Sequence, residues 1–559
     1  MPSIIIDGRT CEFTPGAMII QVANDAGIAV PQYCYHDGLS IVASCRICLA
    51  EVWQPNARNN NKLEPLLGGK LMPTCQTQAA DGMVVYTDSP KAVANQKAVM
   101  EYLLINHPLD CPVCDQAGEC FLQDYSYEYG RGKSRFEESK LKQPKKDLGP
   151  HILLYSDRCI MCSRCVRFTR EVTGTAELLI TGRGNREEID VFPGMPLDNE
   201  LSGNVADLCP VGALLDKDFL FAQRVWFLKE TPSIDGITAS GDNISIHHNE
   251  GTIYRIKPRT NMAVNKWWLS DEVRYGWKFV HREDRLKQPV RKQFGVAVPT
   301  DLHRAATETV IGLRKVVAAG KKIAVIISPM LPSEEAYLLA KAAQAIDPKV
   351  FLAVGPIPMA GQDKTFPAGK ADGFVICAEK CPNSRGVKAV LAARSKASPH
   401  NGYVAGFEQI ITQLQSGEIG GLLLTGNYPS EWVTPELLSA AEGKFVALID
   451  TLPTVLGERA DVLMPGATWA EKAGTFTNHN GLMQAFEQAI GVVDGAFAEG
   501  RIALELLAVA TATDTGHYNA AMVRQEMAAA HAELGGFVTD IRAAVPGVTQ
   551  KADMEVVEL

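Results

Sequence analysis

No stretch of this 559-residue chain approaches the ~18 consecutive apolar residues that a membrane-spanning helix needs, so direct membrane insertion is not expected. A cationic excess is also missing. The formal net charge is −9, whereas a dedicated nucleic-acid binder presents clustered Lys and Arg on its contact face. The short basic run KLKQPKKD, Lys140 to Asp147, reads as a solvated loop. Neither Gly-x-Gly-x-x-Gly nor a flavin motif occurs, so no nucleotide pocket is expected. The opening MPSIIIDGRTCEF reads at once as strand, turn and strand, with no secretory signal or Arg-rich transit segment before it. The expectation is a protein made and used in bacterial cytoplasm. Hydrophobic residues at 46% and charged residues at 21% exclude a wholly disordered chain, and the length predicts roughly three to five packed units.

What the chain has in quantity is cysteine, and eleven of its fourteen fall in spaced groups before residue 210. Without an export signal, metal ligation accounts for them better than disulfides. Cys34, Cys45, Cys48 and Cys75 follow a small β-grasp pattern: a hairpin signal at Asp7-Gly8, then a helix over Met18 to Ala26 ended by Gly27. Four thiolates, two for each iron, suit a [2Fe-2S] rhombus, and an irregular loop lets backbone amides point at the sulfurs. Cys11, on the second strand, reads as packing. A helix beginning at Ser89-Pro90, with Val93, Lys97, Met100, Leu103 and Leu104 as its apolar stripe, delivers His107 at its end. His107, Cys111, Cys114 and Cys120 follow at gaps of three, two and five residues, a set for a [4Fe-4S] cluster with one imidazole ligand. QDYSYEYGRG reads as a surface connection. CIMCSRC supplies Cys159, Cys162 and Cys165, and Cys209, followed by Pro210, is the distant fourth thiolate of a second [4Fe-4S] set. Arg164, Arg167 and Arg170 on the helix that follows either offset the charge of a reduced cluster or lie on a solvated face.

The ordered set, a [2Fe-2S] quartet, then HxxxCxxCxxxxxC, then CxxCxxC with a distant CP, resembles the large electron-carrying 75 kDa iron-sulfur subunit (the G subunit) of respiratory complex I, NADH-quinone oxidoreductase. Its motifs cover residues 1 to about 225. The resemblance implies a one-electron relay. Flavin on a neighbouring peripheral-arm subunit takes hydride from NADH, and the clusters pass single electrons toward quinone, coupled by the whole complex to proton translocation. The order implied is the Cys34 group, the Cys159 group, then the His107 group. A peripheral place on the cytoplasmic side of the inner membrane is implied too, with no substrate site on this chain.

The second half resembles, more weakly, the molybdopterin-oxidoreductase-like region of the same subunit. Where many relatives carry another cluster, Asp235, Thr238, Asp242 and Ser270 stand at the expected cysteine positions, so no iron is predicted there. Lys322 to Ser328, Gly373 to Cys377, Gly420 to Thr425 and Phe445 to Asp450 read as short buried strands of an α/β layer. Asn480 and Leu482 replace the common Glu and Arg of a late motif, and no molybdopterin is expected. Cys377 and Cys381 could chelate a metal if helical, but two ligands do not close a site, and packing is the better reading. The expected domains are a 2Fe-2S ferredoxin-type domain (1–80), a His(Cys)3 4Fe-4S domain (81–120), a ferredoxin-like 4Fe-4S domain (121–225), a degenerate cluster domain (226–286), a molybdopterin-oxidoreductase-like α/β domain (287–510) and a helical tail (511–559). The competing readings are a subunit of an NAD-linked formate dehydrogenase or a hydrogenase, and a scaffold whose clusters only stabilise its fold.

Overall fold

The computed structural model describes residues 1–396 and 402–542; residues 543–559 of the expected helical tail lie outside them. The described chain forms two compact units, residues 1–228 with 366–370, and residues 229–365 with 371 onward.

The first unit opens with a six-stranded sheet. Ser3–Ile6 pairs antiparallel with Arg9–Glu12 through Asp7-Gly8, where both residues take positive φ, and pairs in parallel with Val84–Tyr86. Leu49–Asn56 continues the sheet antiparallel. Ile4, Ile6, Val52 and Val85 alternate inward onto helix α1 (Ile19–Asp25), whose Ile19, Ile20, Val22 and Ala23 are buried. Cys11 packs into this core, its thiol donating to Arg9 O (3.5 Å). Helix α2 (Pro90–Leu104) starts as its sequence dictates, with Ser89 Oγ accepting from Ala92 N and proline in the first turn. Its buried face is Ala92, Gln96, Val99 and Met100, which corrects the stripe through Val93 and Lys97. Gln96 spends its polarity on the Thr87 carbonyl (3.0 Å) and so serves as a core residue.

The segment expected as a surface connection is helix α3 (Phe121–Tyr129). Its Tyr125 ring lies 5.3 Å from Tyr33, 5.9 Å from Phe121 and 5.5 Å from Tyr129. The basic run after it is anchored: Lys140 Nζ donates to the last-turn carbonyls of Leu104 and Ile105 (2.7 and 3.1 Å), where a cation suits the helix end. Lys146 pairs with Glu188 and Asp190. An antiparallel sheet of Lys145–Asp147, Ile152–Tyr155 and Leu214–Asp216 then frames helix α4 (Arg164–Glu171).

The second unit carries a three-stranded antiparallel sheet, Lys229–Ile234, Asn243–Asn249 and Thr252–Pro258, and a seven-stranded sheet. In the latter, Phe351–Val354, Lys322–Ile327, Ile419–Thr425, Phe445–Asp450 and Val462–Pro465 run in parallel in that spatial order. The order reverses beside Lys322–Ile327, as in doubly wound folds. Ile323, Val325 and Ile327 face one buried layer of helices and Ala324 and Ile326 the other, which is why the run is apolar without alternation. Each of the valine and isoleucine side chains contributes about 1.5–3 kcal/mol by its burial. The strand Phe374–Ile376 lies outside this sheet.

Candidate functional site: three cysteine groups in the first unit

In the first group the loop from Cys34 to Cys48 bends through Ala43 and Arg46, both with positive φ. It brings Cys34, Cys45, Cys48 and Cys75 together. Cys48 and Cys75 sulfurs are 3.5 Å apart. Hydrogen bonds from Cys45 and then Cys75 pull the Cys34 thiol far below its usual range, and Cys75, sharing protons with Cys34 and Cys48, is pushed well up. Four sulfurs this close share protons among themselves, the condition that iron would relieve by taking thiolates.

In the third group the CIMCSRC loop turns on Met161 (φ 52) and Ser163 (φ 59), residues without glycine's freedom. The curl brings the Met161 amide to 3.4 Å from Cys159 Sγ. Cys159, Cys162, Cys165 and Cys209 line one cavity, walled by Leu154, Ile160, Ile189, Val211 and Leu214. Burial pushes Cys159 up to about 12 and Cys162 to about 11. Amides of Val211, Leu214 and Ala213 act on Cys209 in the opposite sense, as donors to a thiolate do.

The His107 group is the most open of the three. Cys111 is exposed, while Cys114 and Cys120 are buried. Burial first, then Arg158 and Lys140, hold His107 down at about 4, so its ring is neutral and able to ligate. Gly212 makes room for this group, since a Cβ there would stand 2.3 Å from Cys114 Sγ.

Sequence reasoning missed what joins the groups. Arg164 and Arg167 are buried, at 6% and 8% exposure, and only Arg170 faces solvent; the solvated-face alternative therefore fails for the first two. Arg167 Nη2 donates to the carbonyls of Cys34 (2.5 Å) and Cys162 (3.3 Å), and Nη1 donates to Ser40 O. Arg164 donates to Tyr35 O and to Leu208 O. Glu171 accepts from Ser40 N (2.8 Å) and Ser40 Oγ (2.5 Å). Positions 164, 167 and 171 share one helix face, a signal present in the sequence as R-x-x-R-x-x-x-E. On the other side Arg158, 3% exposed, reaches Asp110 Oδ2 (2.9 Å) and Gly212 O (3.4 Å) and lies 4.0 Å over the Tyr155 ring.

In the second unit Asp235, Thr238, Asp242 and Ser270 are all buried; Asp235, Thr238 and Ser270 are bonded to neighbouring groups of their own turns, while Asp242 Oδ2 has no hydrogen-bond partner among the described residues. Asp235 Oδ1 accepts from Ile237 N (2.8 Å) and Thr238 N (3.1 Å), and Oδ2 from Thr238 Oγ1 (2.5 Å). Ser270 Oγ accepts from Val273 N (3.3 Å). Burial, then the charge of Asp235, push Asp242 well up. This donor set does not fit iron and sulfide. Cys377 and Cys381 are buried but not helical, and Cys381 Sγ donates to Glu379 Oε1 (3.4 Å). At the strand-order reversal, Ser328 N donates to Thr425 Oγ1 (2.7 Å), closing polar groups on each other where doubly wound folds usually receive a ligand.

Comparison with known families gives this geometry a class. The chain matches a 2Fe-2S iron-sulfur cluster binding domain over residues 2–90, an NADH-ubiquinone oxidoreductase-G iron-sulfur binding region over 96–135, and the ferredoxin-like domain of NADH-quinone oxidoreductase subunit 3 over 149–215. It also matches an NDSU1/NuoG-like 4Fe-4S domain over 228–278 and molybdopterin oxidoreductase over 342–496. It is an iron-sulfur protein built from 2Fe-2S and 4Fe-4S domains with a molybdopterin-oxidoreductase-like region.

Among its relatives, the NADH-ubiquinone oxidoreductase 75 kDa subunit of Reclinomonas americana is 41% identical over 295 residues, 53% of this chain and 41% of the relative. The NADH-ubiquinone oxidoreductase 78 kDa subunit of Neurospora crassa is 42% identical over 307 residues, 55% and 39%. The chain is similar to these large iron-sulfur subunits of complex I, and it spans less than half the length of these curated relatives. A crystal structure of an NAD+-reducing [NiFe]-hydrogenase matches with 26% identity, 40% of this chain, 91% of that chain and a TM-score of 0.35. Among the described residues no helix is long and apolar enough to cross a membrane.

Proposed function

We propose that this chain is the electron-relay subunit of an NADH-quinone oxidoreductase. Cys34, Cys45, Cys48 and Cys75 would hold one [2Fe-2S] cluster. His107, Cys111, Cys114 and Cys120 would hold one [4Fe-4S] cluster, and Cys159, Cys162, Cys165 and Cys209 the other. When bound, the clusters supply one-electron transfer between a flavin-bearing NADH-oxidising partner and a quinone-side acceptor, with proton translocation a property of the whole complex. The chain's own residues hold the loops and aim backbone amides at the sulfurs. The observation that carries the reading is that three ligand-rich groups lie in one compact unit, each on a domain whose family binds iron-sulfur clusters or has a ferredoxin-like fold.

We further propose that the site of Asp235, Thr238, Asp242 and Ser270 holds no iron, that the second unit binds no molybdopterin and serves as a docking remnant, and that the chain sits peripherally on the cytoplasmic face of the membrane. Low-temperature paramagnetic resonance of the reduced protein tests the relay directly. One binuclear and two tetranuclear signals are expected, with about ten iron atoms per chain; about fourteen would restore the fourth site, and a metal-free chain in an active complex would end the proposal.

A further inference from the structure

The three groups are stitched together by buried arginines in a fixed order. Arg167 touches a backbone carbonyl of one group's ligand, Cys34, and of the next group's ligand, Cys162, through the same Nη2. Arg158 stands at the following junction, between Gly212 O, three residues past Cys209, and Asp110, next to Cys111. A guanidinium is suited to this place because its planar fork donates to two carbonyls at once and its charge is carried into a buried site.

We propose that Arg167 is a positioning residue for electron transfer between the Cys34 and Cys159 groups, fixing their separation and raising the reduction potential of both, and that Arg158, its charge paired with Asp110, fixes the separation at the junction between the Cys159 and His107 groups. The inference rests on the proposed relay. A carbonyl carries partial negative charge and a reduced cluster gains a full one, so a cation bonded to a ligand residue's carbonyl on each side favours the reduced state of both neighbours. The two carbonyls cannot drift apart without breaking a bond to one nitrogen. Arg164 and the Glu171–Ser40 contact hold the same loop from either side of Arg167, so the bridge sits inside a three-point clamp.

The test uses the full chain with its clusters, titrated anaerobically with iron content measured beside paramagnetic resonance. In Arg167→Met the reduced-to-oxidised ratio of the binuclear centre and of the Cys159-group centre at fixed poise should each fall about tenfold, equivalent to about 59 mV for a one-electron couple. The spin–spin interaction between the two should change, while the His107-group signal keeps its potential. Arg167→Lys retains the charge without the fork, and should bring the ratios back to within about threefold while leaving the spin–spin interaction altered. Arg158→Met should alter the spin–spin interaction between the Cys159-group and His107-group centres and spare the binuclear centre. Full iron with unmoved potentials in Arg167→Met overturns the proposal. If that variant loses iron, the Lys variant decides: equal loss there makes Arg167 a loop-folding residue only and also overturns it. Absence of a binuclear signal from the unaltered chain would instead overturn the relay itself.

Discussion

Replacing Gly212 by alanine isolates one of the three groups. Its Cβ would lie 2.3 Å from Cys114 Sγ and 3.1 Å from Gln116 Cβ, where ordinary carbon contacts are about 3.5–4.0 Å. Two escapes exist. The thiol can rotate away, which is the cheaper route and removes Cys114 from its group, or the Cys209–Leu214 backbone can move, at the ~1–3 kcal/mol typical of overpacking. A gain of about 0.4–1 kcal/mol from a stiffer unfolded chain offsets only part of that. The cheaper rotation disturbs the His107 group alone, because Gly212 borders Cys114, whereas the backbone route would also reach Cys209 and the Cys159 group. Gly212→Ala should therefore drop iron from about ten to about six atoms per chain and abolish one tetranuclear signal. The binuclear signal and the other tetranuclear signal should remain. Full iron with three unaltered signals in a folded Gly212→Ala chain would refute the reasoning.

His107→Cys should shift one tetranuclear signal and leave the other two, since a thiolate adds a negative charge where a neutral ring stood; no change in any signal would remove the imidazole from the ligand set. Arg285 and Glu471 form a buried pair at 2.8 and 3.2 Å with side chains 1% and 0% exposed, so Glu471→Ala, which strands a buried guanidinium, should cost about 3–5 kcal/mol in denaturant unfolding, and a loss under 1 kcal/mol would contradict this. Burial raises Asp450 to about 6 despite amide donors from Asn427 and Thr451. Its unfolded value is near 3.9, so the native state holds an extra proton between about pH 4 and pH 6, and the stability it contributes is complete below that window and lost as pH rises through it, about 3 kcal/mol in all. Urea unfolding of Asp450→Asn across this range should show the slope gone; an undiminished slope would assign it to another group.

The sequence disclosed most where local chemistry suffices. The hairpin at Asp7-Gly8, the helix start at Ser89-Pro90 and the parallel strands at Lys322, Ile419 and Phe445 depend on neighbours within a few residues. Spacing brought out the cysteine groups, because ligands must converge from tight loops. Helix α3 was hidden because YSYEY has no apolar periodicity; its aromatic contacts include Tyr33, about ninety residues away in sequence. The buried face of α2 was misread because alanine and glutamine carry it, and Gln96 becomes a core residue only once the Thr87 carbonyl is beside it. The arginines of α4 stayed ambiguous for a similar reason: their burial is set by carbonyls at Cys34, Tyr35 and Ser40, which no local pattern connects to residue 167.

The carboxylate of Asp235 has one more implication. By gathering two amides and a hydroxyl from the next three residues, it shapes its turn with atoms the ribosome supplies, whereas the loops at Cys34, His107 and Cys159 would wait for cargo from the assembly machinery. Maturation would then be split in time, the carboxyl-terminal unit setting early and the wiring completed later. Protease digestion of chain made under iron starvation should spare the former and nick the latter, and equal sensitivity of both would show that they mature together.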